Sequence, residues 1–364
     1  MARIWAVMKD PGGTNAMWPV VEELRKRRHS IIPIAHGKAI ELLAIKKVSF
    51  IAAQNLAFKQ EFLMNLPEIY ITSMCSEGGI GRDLIHIFRS ISIPTIAVQD
   101  YWGGAALTDF KNPIHWPNVV CAQDELAAEM ILDAWPGYKQ KYGRIEITGQ
   151  PAFDALITLD TPTTKSKTRK MLGCTQEWPV ILYAGQLQWS AVTLTNLIKA
   201  INRLQFPVYL LPTKHPRMAI NDPEEETSWN EALARFNNGI ILDKQSLSTD
   251  QCVAASDVVV SMTSTILATG AYLRKECIAY LPPEIFESEL GSYGYKFLPM
   301  AKLGSCAVAE NQLDLDSLLE TALSKKPDPL GLRRHQEKNF KTDTKSASRV
   351  ADVIEQTLGL KAKT

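Results

Sequence analysis

The chain has 364 residues, 46 % of them hydrophobic and 22 % charged, and its 40 basic and 39 acidic side chains leave a formal net charge of +1. That length exceeds what one core usually organises, so two domains are expected. The balanced charge supplies no overall field toward nucleic acid or anionic lipid, so no nucleic-acid partner is expected.

Six cysteines (75, 121, 174, 252, 277 and 306) are scattered without a CxxC pair or a Cys/His cluster. They read as small buried hydrophobes of a reducing, cytoplasmic interior, with no zinc site. The chain opens on a strand-like RIWAVMK, unlike a signal peptide, and no apolar run reaches the roughly 20 residues that span a bilayer. A soluble protein is expected, compatible with a membrane-borne acceptor.

The first strand, over 4–8, runs into Asp10-Pro11-Gly12-Gly13-Thr14-Asn15 and a helix over 17–28. Paired glycines let backbone amides approach a ligand, and a helix N-terminus favours an anion. Asp10 is a candidate base at the strand end, and Gly12, Gly13 and Thr14 are candidate substrate contacts. A tight turn with Thr14 or Asn15 as N-cap accounts for the loop equally well. The basic run Arg25–Arg28 suits a helix C-terminus and reads as a solvated face, with docking on an anionic surface as the alternative.

Strands follow over 31–35, 48–52 and 69–73. The last opens into Ser76-Glu77-Gly78-Gly79-Ile80-Gly81-Arg82, where Glu77, Gly78 and Gly79 are candidate substrate contacts, before a helix over 82–91. The strand over 95–99 ends in Asp100-Tyr101-Trp102-Gly103-Gly104. An acid beside aromatic rings suits a sugar, whose apolar face stacks while its hydroxyls meet a carboxylate, so Asp100, Tyr101 and Trp102 join the candidates, with aromatic rings packed into the core as the alternative. Strands over 119–122 and 145–148 close the first half. His36 and His115 lack clustered ligand partners and read as structural.

The polar stretch 161–170 reads as a linker between domains over 1–160 and 171–335, with helix-entry chemistry before Met171 as the alternative, and a polar segment and final helix follow over 336–364. Strands over 180–184, 208–212, 240–242, 258–261 and 277–281 alternate with helices over 194–204, 229–236, 249–255 and 266–273. Nearly all-apolar strands alternating with helices predict an α/β chain of two parallel sheets. In Lys214-His215-Pro216-Arg217, cationic side chains flank an imidazole at a strand end, a donor set for phosphate. Thr263-Ser264-Thr265 offers hydroxyls and amides at a helix start, either an anion site or an ordinary N-cap. Asp314-Leu315-Asp316 is formally a DxD, but acids at a helix start complement its dipole; no metal and no cofactor are expected.

Three stretches resemble enzymes of one architecture. Thr148-Gly149-Gln150-Pro151-Ala152-Phe153-Asp154-Ala155-Leu156 is similar to the "TGNPxxDAL" segment of two-Rossmann, B-type glycosyltransferases and UDP-N-acetylglucosamine 2-epimerases. Lys214-His215-Pro216 and Thr263-Ser264-Thr265 resemble the His-Pro and Ser/Thr motifs of bacterial sialyltransferases and glycerophosphotransferases. The resemblance implies two Rossmann-like domains facing across a cleft, with His215, Thr263 and Ser264 on the nucleotide phosphates and a first-half carboxylate, Asp10 or Asp100, as base. It implies a nucleotide sugar, a UDP- or CMP-sugar, as partner, with a carbohydrate or small-molecule acceptor, and leaves a homodimer open. Thr269 stands where many relatives carry a ribose-binding glutamate. The expected activity is metal-independent glycosyl transfer; epimerisation or hydrolysis of the nucleotide sugar, and a non-catalytic binding module, are the alternatives.

Overall fold

The computed structural model describes residues 1–54, 65–74, 79–108, 110–215, 218 and 222–360. Glu77, Gly78 and Arg217 lie outside the described residues. Two compact units are present: Met1–Asp154 together with Asp343–Thr364, and Ala155–Thr342.

The first unit holds a seven-stranded sheet of β1 (Arg3–Met8), β2 (Ser30–Ala35), β3 (Ile51–Ala52), β4 (Ile69–Met74), β5 (Thr95–Gln99), β6 (Val119–Ala122) and β7 (Arg144–Ile147), in the order β3-β2-β1-β4-β5-β6-β7. The second holds β8 (Val180–Ala184), β9 (Val208–Thr213), β10 (Gly239–Ile241), β11 (Val258–Ser261), β12 (Glu276–Tyr280) and β13 (Ala307–Ala309), in the order β10-β9-β8-β11-β12-β13. Every pairing is parallel. Central strands such as β4, β5 and β8 are buried throughout, which explains their predominantly apolar sequences.

Both sheets repeat one device. The chain winds outward from β1 and from β8, then returns to place β4 and β11 on their other side. Open α/β sheets bind ligands beyond the carboxyl ends of the strands at such reversals.

The helix Pro11–Lys26 begins six residues before its expected start, because Asp10 is its N-cap and Pro11 occupies its first turn. Met17, Val20, Val21 and Leu24 recur at helical spacing and fill the first core with Ile4, Ile71 and Val98. The stretch 161–170, expected as a linker, is the helix Pro162–Met171 of the second unit, capped by Thr161. At the far end the helix Ser346–Thr357 belongs to the first unit and lends Val350, Ala351 and Ile354 to its core. The edge strand β13 was not expected from the sequence, being only three residues long. No described helix is long and apolar enough to cross a membrane.

Candidate functional site

In the first unit the strand ends bring Asp10 and Asp100 together. A side chain placed on Gly12 would lie 2.9 Å from Asp100 Oδ2, and one on Gly13 would lie 2.9 Å from Asp10 Oδ1 and 2.3 Å from Ser73 Oγ. The two glycines therefore admit two carboxylates and a serine to one turn. Gly13 N donates to Asp10 Oδ1 at 2.6 Å, and Thr14 Oγ1 donates to the Asp10 carbonyl at 2.6 Å. The helix mouth thus already holds an anion, its own cap, which argues against a phosphate there. Thr14 is wholly buried and closes the turn, so the cap is Asp10 and neither Thr14 nor Asn15.

Asp100 sits at the end of β5, where Gln150 Nε2 donates to its carbonyl at 2.7 Å. Burial pushes its carboxyl up to about 8, and the Asp10 charge adds to that; the amides of Asp100 and Tyr101 pull partly back. Two acids this close cannot both ionise freely near neutral pH. Trp102 is 1 % exposed, with Nε1 donating to Asp124 Oδ2 at 2.7 Å, so its ring is core and offers no face to a sugar. Tyr101 packs edge-on against it and keeps part of its surface. Gly79 takes φ +96°, and a side chain there would lie 3.5 Å from Lys9 Nζ and 3.8 Å from His36 Cε1. Lys9 and His36 therefore share this edge with Gly79.

In the second unit, Ala184 at the end of β8 aligns with Thr213 of β9 on one side and Ser261 of β11 on the other. The loops carrying His215 and Thr263-Ser264-Thr265 thus leave the sheet at one level, about 10 Å apart across β8. Gln186, just past β8, spans the reversal: its Nε2 donates to Thr263 Oγ1 at 2.8 Å and its Oε1 accepts from Thr263 N at 3.0 Å. Ser261 Oγ ties β11 back to the Ala184 carbonyl at 2.7 Å.

The helix Ile266–Tyr272 has seven residues and its N-cap, Thr265, makes no capping bond, while Ser264 Oγ accepts weakly from Ile266 N at 3.3 Å. A short dipole contributes little, so hydroxyls and loop amides are the donors this edge presents. His215 is partly exposed beyond β9. Lys214 is turned away onto the helix Pro223–Ala234, with Nζ on Glu226 at 2.8 Å and Asn230 at 3.2 Å.

The DxD pair is used locally. Asp314 Oδ2 accepts from Asn311 Nδ2 at 2.8 Å, and Asp316 pairs with Arg203 and accepts from Gln312 Nε2 at 2.7 Å. Among the described residues no group of three or more His, Cys, Asp or Glu is placed to hold a metal ion.

No known family profile and no curated protein matches the sequence. Solved structures do match along the whole chain. UDP-GlcNAc 2-epimerase from Neisseria meningitidis, bound to UDP-GlcNAc, superposes with a TM-score of 0.70 at 14 % identity, covering 97 % of this chain and 100 % of its own. The S. aureus MnaA–UDP co-structure gives 0.72 at 13 %, covering 100 % and 99 %. A glycosyltransferase from Rickettsia africae gives 0.56 at 15 %, covering 98 % of each. The chain has the glycosyltransferase-B fold.

Within that glycosyltransferase-B frame, sequence reasoning overlooked Ser73, Gln99 and Gln186. Gln186 stands in a Gly-Gln-Leu-Gln run with no chemical signature. Gln99 is 2 % exposed and neither of its amide atoms has a hydrogen-bond partner, beside Asp100. An unpaired buried amide next to a raised carboxyl marks polar ground, which the alternation of an apolar strand does not announce.

Proposed function

We propose that the chain transfers a sugar from a nucleotide-sugar donor, a UDP- or CMP-sugar, to an acceptor hydroxyl without a metal. The observation that carries this is the Gln186–Thr263 bracket at the reversal of the second sheet, with His215 beyond the neighbouring strand. Imidazole, hydroxyls and backbone amides form a donor set for an oxyanion.

The bond from anomeric carbon to phosphate oxygen breaks as the acceptor oxygen bonds to that carbon. Charge developing on the departing phosphate is met by His215 and by Thr263, Ser264 and Thr265. Lys214, screened by Glu226, adds a more distant positive charge. The acceptor proton passes to Asp10, because Asp100 holds its own proton up to about pH 8. Tyr101 and the Gly79 turn with Lys9 and His36 line the acceptor side.

A second reading, epimerisation or hydrolysis of the nucleotide sugar alone, is favoured by the acid pair itself. A protonated Asp100 beside Asp10 supplies acid and base on one edge, enough for chemistry on a single sugar.

Incubation with UDP-, CMP- and GDP-sugars separates these. Nucleotide released only with acceptor supports transfer; sugar conversion or nucleotide release without acceptor gives the second reading; binding without turnover removes both and leaves a binding module. His215→Ala is expected to lower turnover about 100-fold. Full activity in that variant would remove the phosphate assignment.

A further inference from the structure

The second unit carries another cavity at the opposite, amino-terminal edge of its sheet. Its volume is about 1170 Å³, and seven lysine and arginine side chains and five carboxylates line it. The five residues of β8 separate this edge from Gln186 by about 16 Å.

The sheet order gives the cavity two unlike ends. Phe206 and Pro207 precede β9, Trp178 and Pro179 precede β8, Asp257 precedes β11 and Lys275 precedes β12, so the lining runs from apolar to cationic over three strand spacings, about 14 Å. At the apolar end Phe206 is 37 % exposed, and Trp178 is held by Tyr209 with ring centroids 5.3 Å apart.

At the other end two cations converge on one carboxylate, and a third lies nearby on a carbonyl. Lys165 Nζ and Arg169 Nη2 lie 2.8 and 2.5 Å from Asp257, whose Oδ2 also accepts from Val180 N at 2.8 Å. Lys275 Nζ donates to the Ala254 carbonyl at 2.8 Å, a neutral partner. Burial, with the charge of Lys165 beside it, pushes the Lys275 amine down to about 8, although Asp257 and Asp160 act in the opposite sense. Over the whole lining, cationic side chains outnumber carboxylates by two.

We infer that this cavity binds an organic phosphate, its phosphoryl group on Lys275 and Arg169 and its flat apolar body on Trp178 and Phe206. The site is separate from the strand-end edge of the proposed function and does not depend on it. An anion gives Lys275 a charged partner in place of a neutral carbonyl, and the aromatic end excludes inorganic phosphate as the best ligand.

The test is calorimetric titration of the full chain with 1-naphthyl phosphate, inorganic phosphate and 1-naphthol. Naphthyl phosphate is expected to bind about tenfold or more tighter than either fragment. Lys275→Met should weaken it about 10- to 100-fold, the loss of one charge-assisted hydrogen bond. Lys165→Gln, at a more exposed position, should weaken it less, and Trp178→Ala should weaken naphthyl phosphate while leaving inorganic phosphate unchanged. His215→Ala should leave all three ligands unaffected. Equal affinity in wild type and Lys275→Met, loss in His215→Ala, or no preference for the naphthyl ester would each overturn the assignment. Should Lys275→Met fail to fold, Lys165→Gln and Trp178→Ala decide it by the same criteria.

Discussion

Asp100 is a residue whose folded environment favours its proton, and this has a stability consequence. Its carboxyl rises from 3.8 to about 8 on folding, by burial first and by Asp10 second. The folded state therefore binds that proton more tightly than the unfolded chain, so this stabilisation is complete below about pH 4 and is lost as pH climbs toward 8. Each unit of displacement is worth about 1.4 kcal/mol. With local relaxation, Asp100→Asn is expected to be more stable than wild type by about 2–4 kcal/mol at pH 9 and to differ little at pH 4. Chemical denaturation at the two pH values checks this, and parallel pH curves for the two proteins would refute it. Gly13 makes a second claim at this scale. A methyl group there would press on Ser73 Oγ at 2.3 Å, so Gly13→Ala should cost about 1–3 kcal/mol, and Ser73→Ala should recover part of that loss in the double variant.

At the scale of elements, the loops that matter leave adjacent strands at one level, and Gln186 couples two of them. Gln186→Leu removes every side-chain bond from Gln186 to Thr263 and supplies no replacement donor, so the β11 loop loses its fixed position. Under the proposed function, UDP affinity should fall about tenfold or more while the far-ultraviolet spectrum is unchanged; unaltered affinity would show that the bracket does not shape the phosphate site. The strands themselves could be read from the chain, because a sheet buried on both faces writes β6 and β8 as continuous apolar runs, and β5 and β11 as apolar runs with polar residues only at their ends. The candidate residues at their ends followed from that placement. What stayed hidden depends on geometry across strands. Gly12-Gly13 reads as a loop until Asp10 is seen capping the helix, Trp102 reads as a stacking platform until Asp124 is found beneath its indole, and Gln186 acquires meaning only opposite Thr263.

Over the whole chain, the unit containing the N-terminus is completed by residues more than three hundred positions away. The segment that resembled a family signature supplies the joint. Gly149 takes φ +83°, and a side chain there would lie 2.6 Å from Ser346 Oγ and 2.9 Å from Arg349 Nη2. Arg349 Nε donates to the Thr148 carbonyl at 2.7 Å, while Asp154 accepts from Ser346 N and Ala347 N at 3.2 and 2.9 Å. Those two amides open the helix Ser346–Thr357, which therefore receives its N-terminal cap from a distant aspartate. The basic run that read as a solvated face serves the same joint: Arg27 reaches Asp352 at 2.5 Å and Glu355 at 2.9 Å, and His29 meets Glu355 at 2.9 Å. Docking thus rests on a capped start, an ionic middle and the buried Val350, Ala351 and Ile354. Ile354→Ala should cost about 2–4 kcal/mol by leaving a cavity, and Asp154→Ala about 1 kcal/mol by uncapping the helix. Both costs fall on the first unit, so amide exchange should quicken over the helix Ser346–Thr357 and the helix Pro11–Lys26 it packs against, with β8 to β12 unchanged. Exchange that quickened equally in both units would mean that the final helix stabilises the chain as a single cooperative body, and the joint would then belong to the whole molecule rather than to its first half.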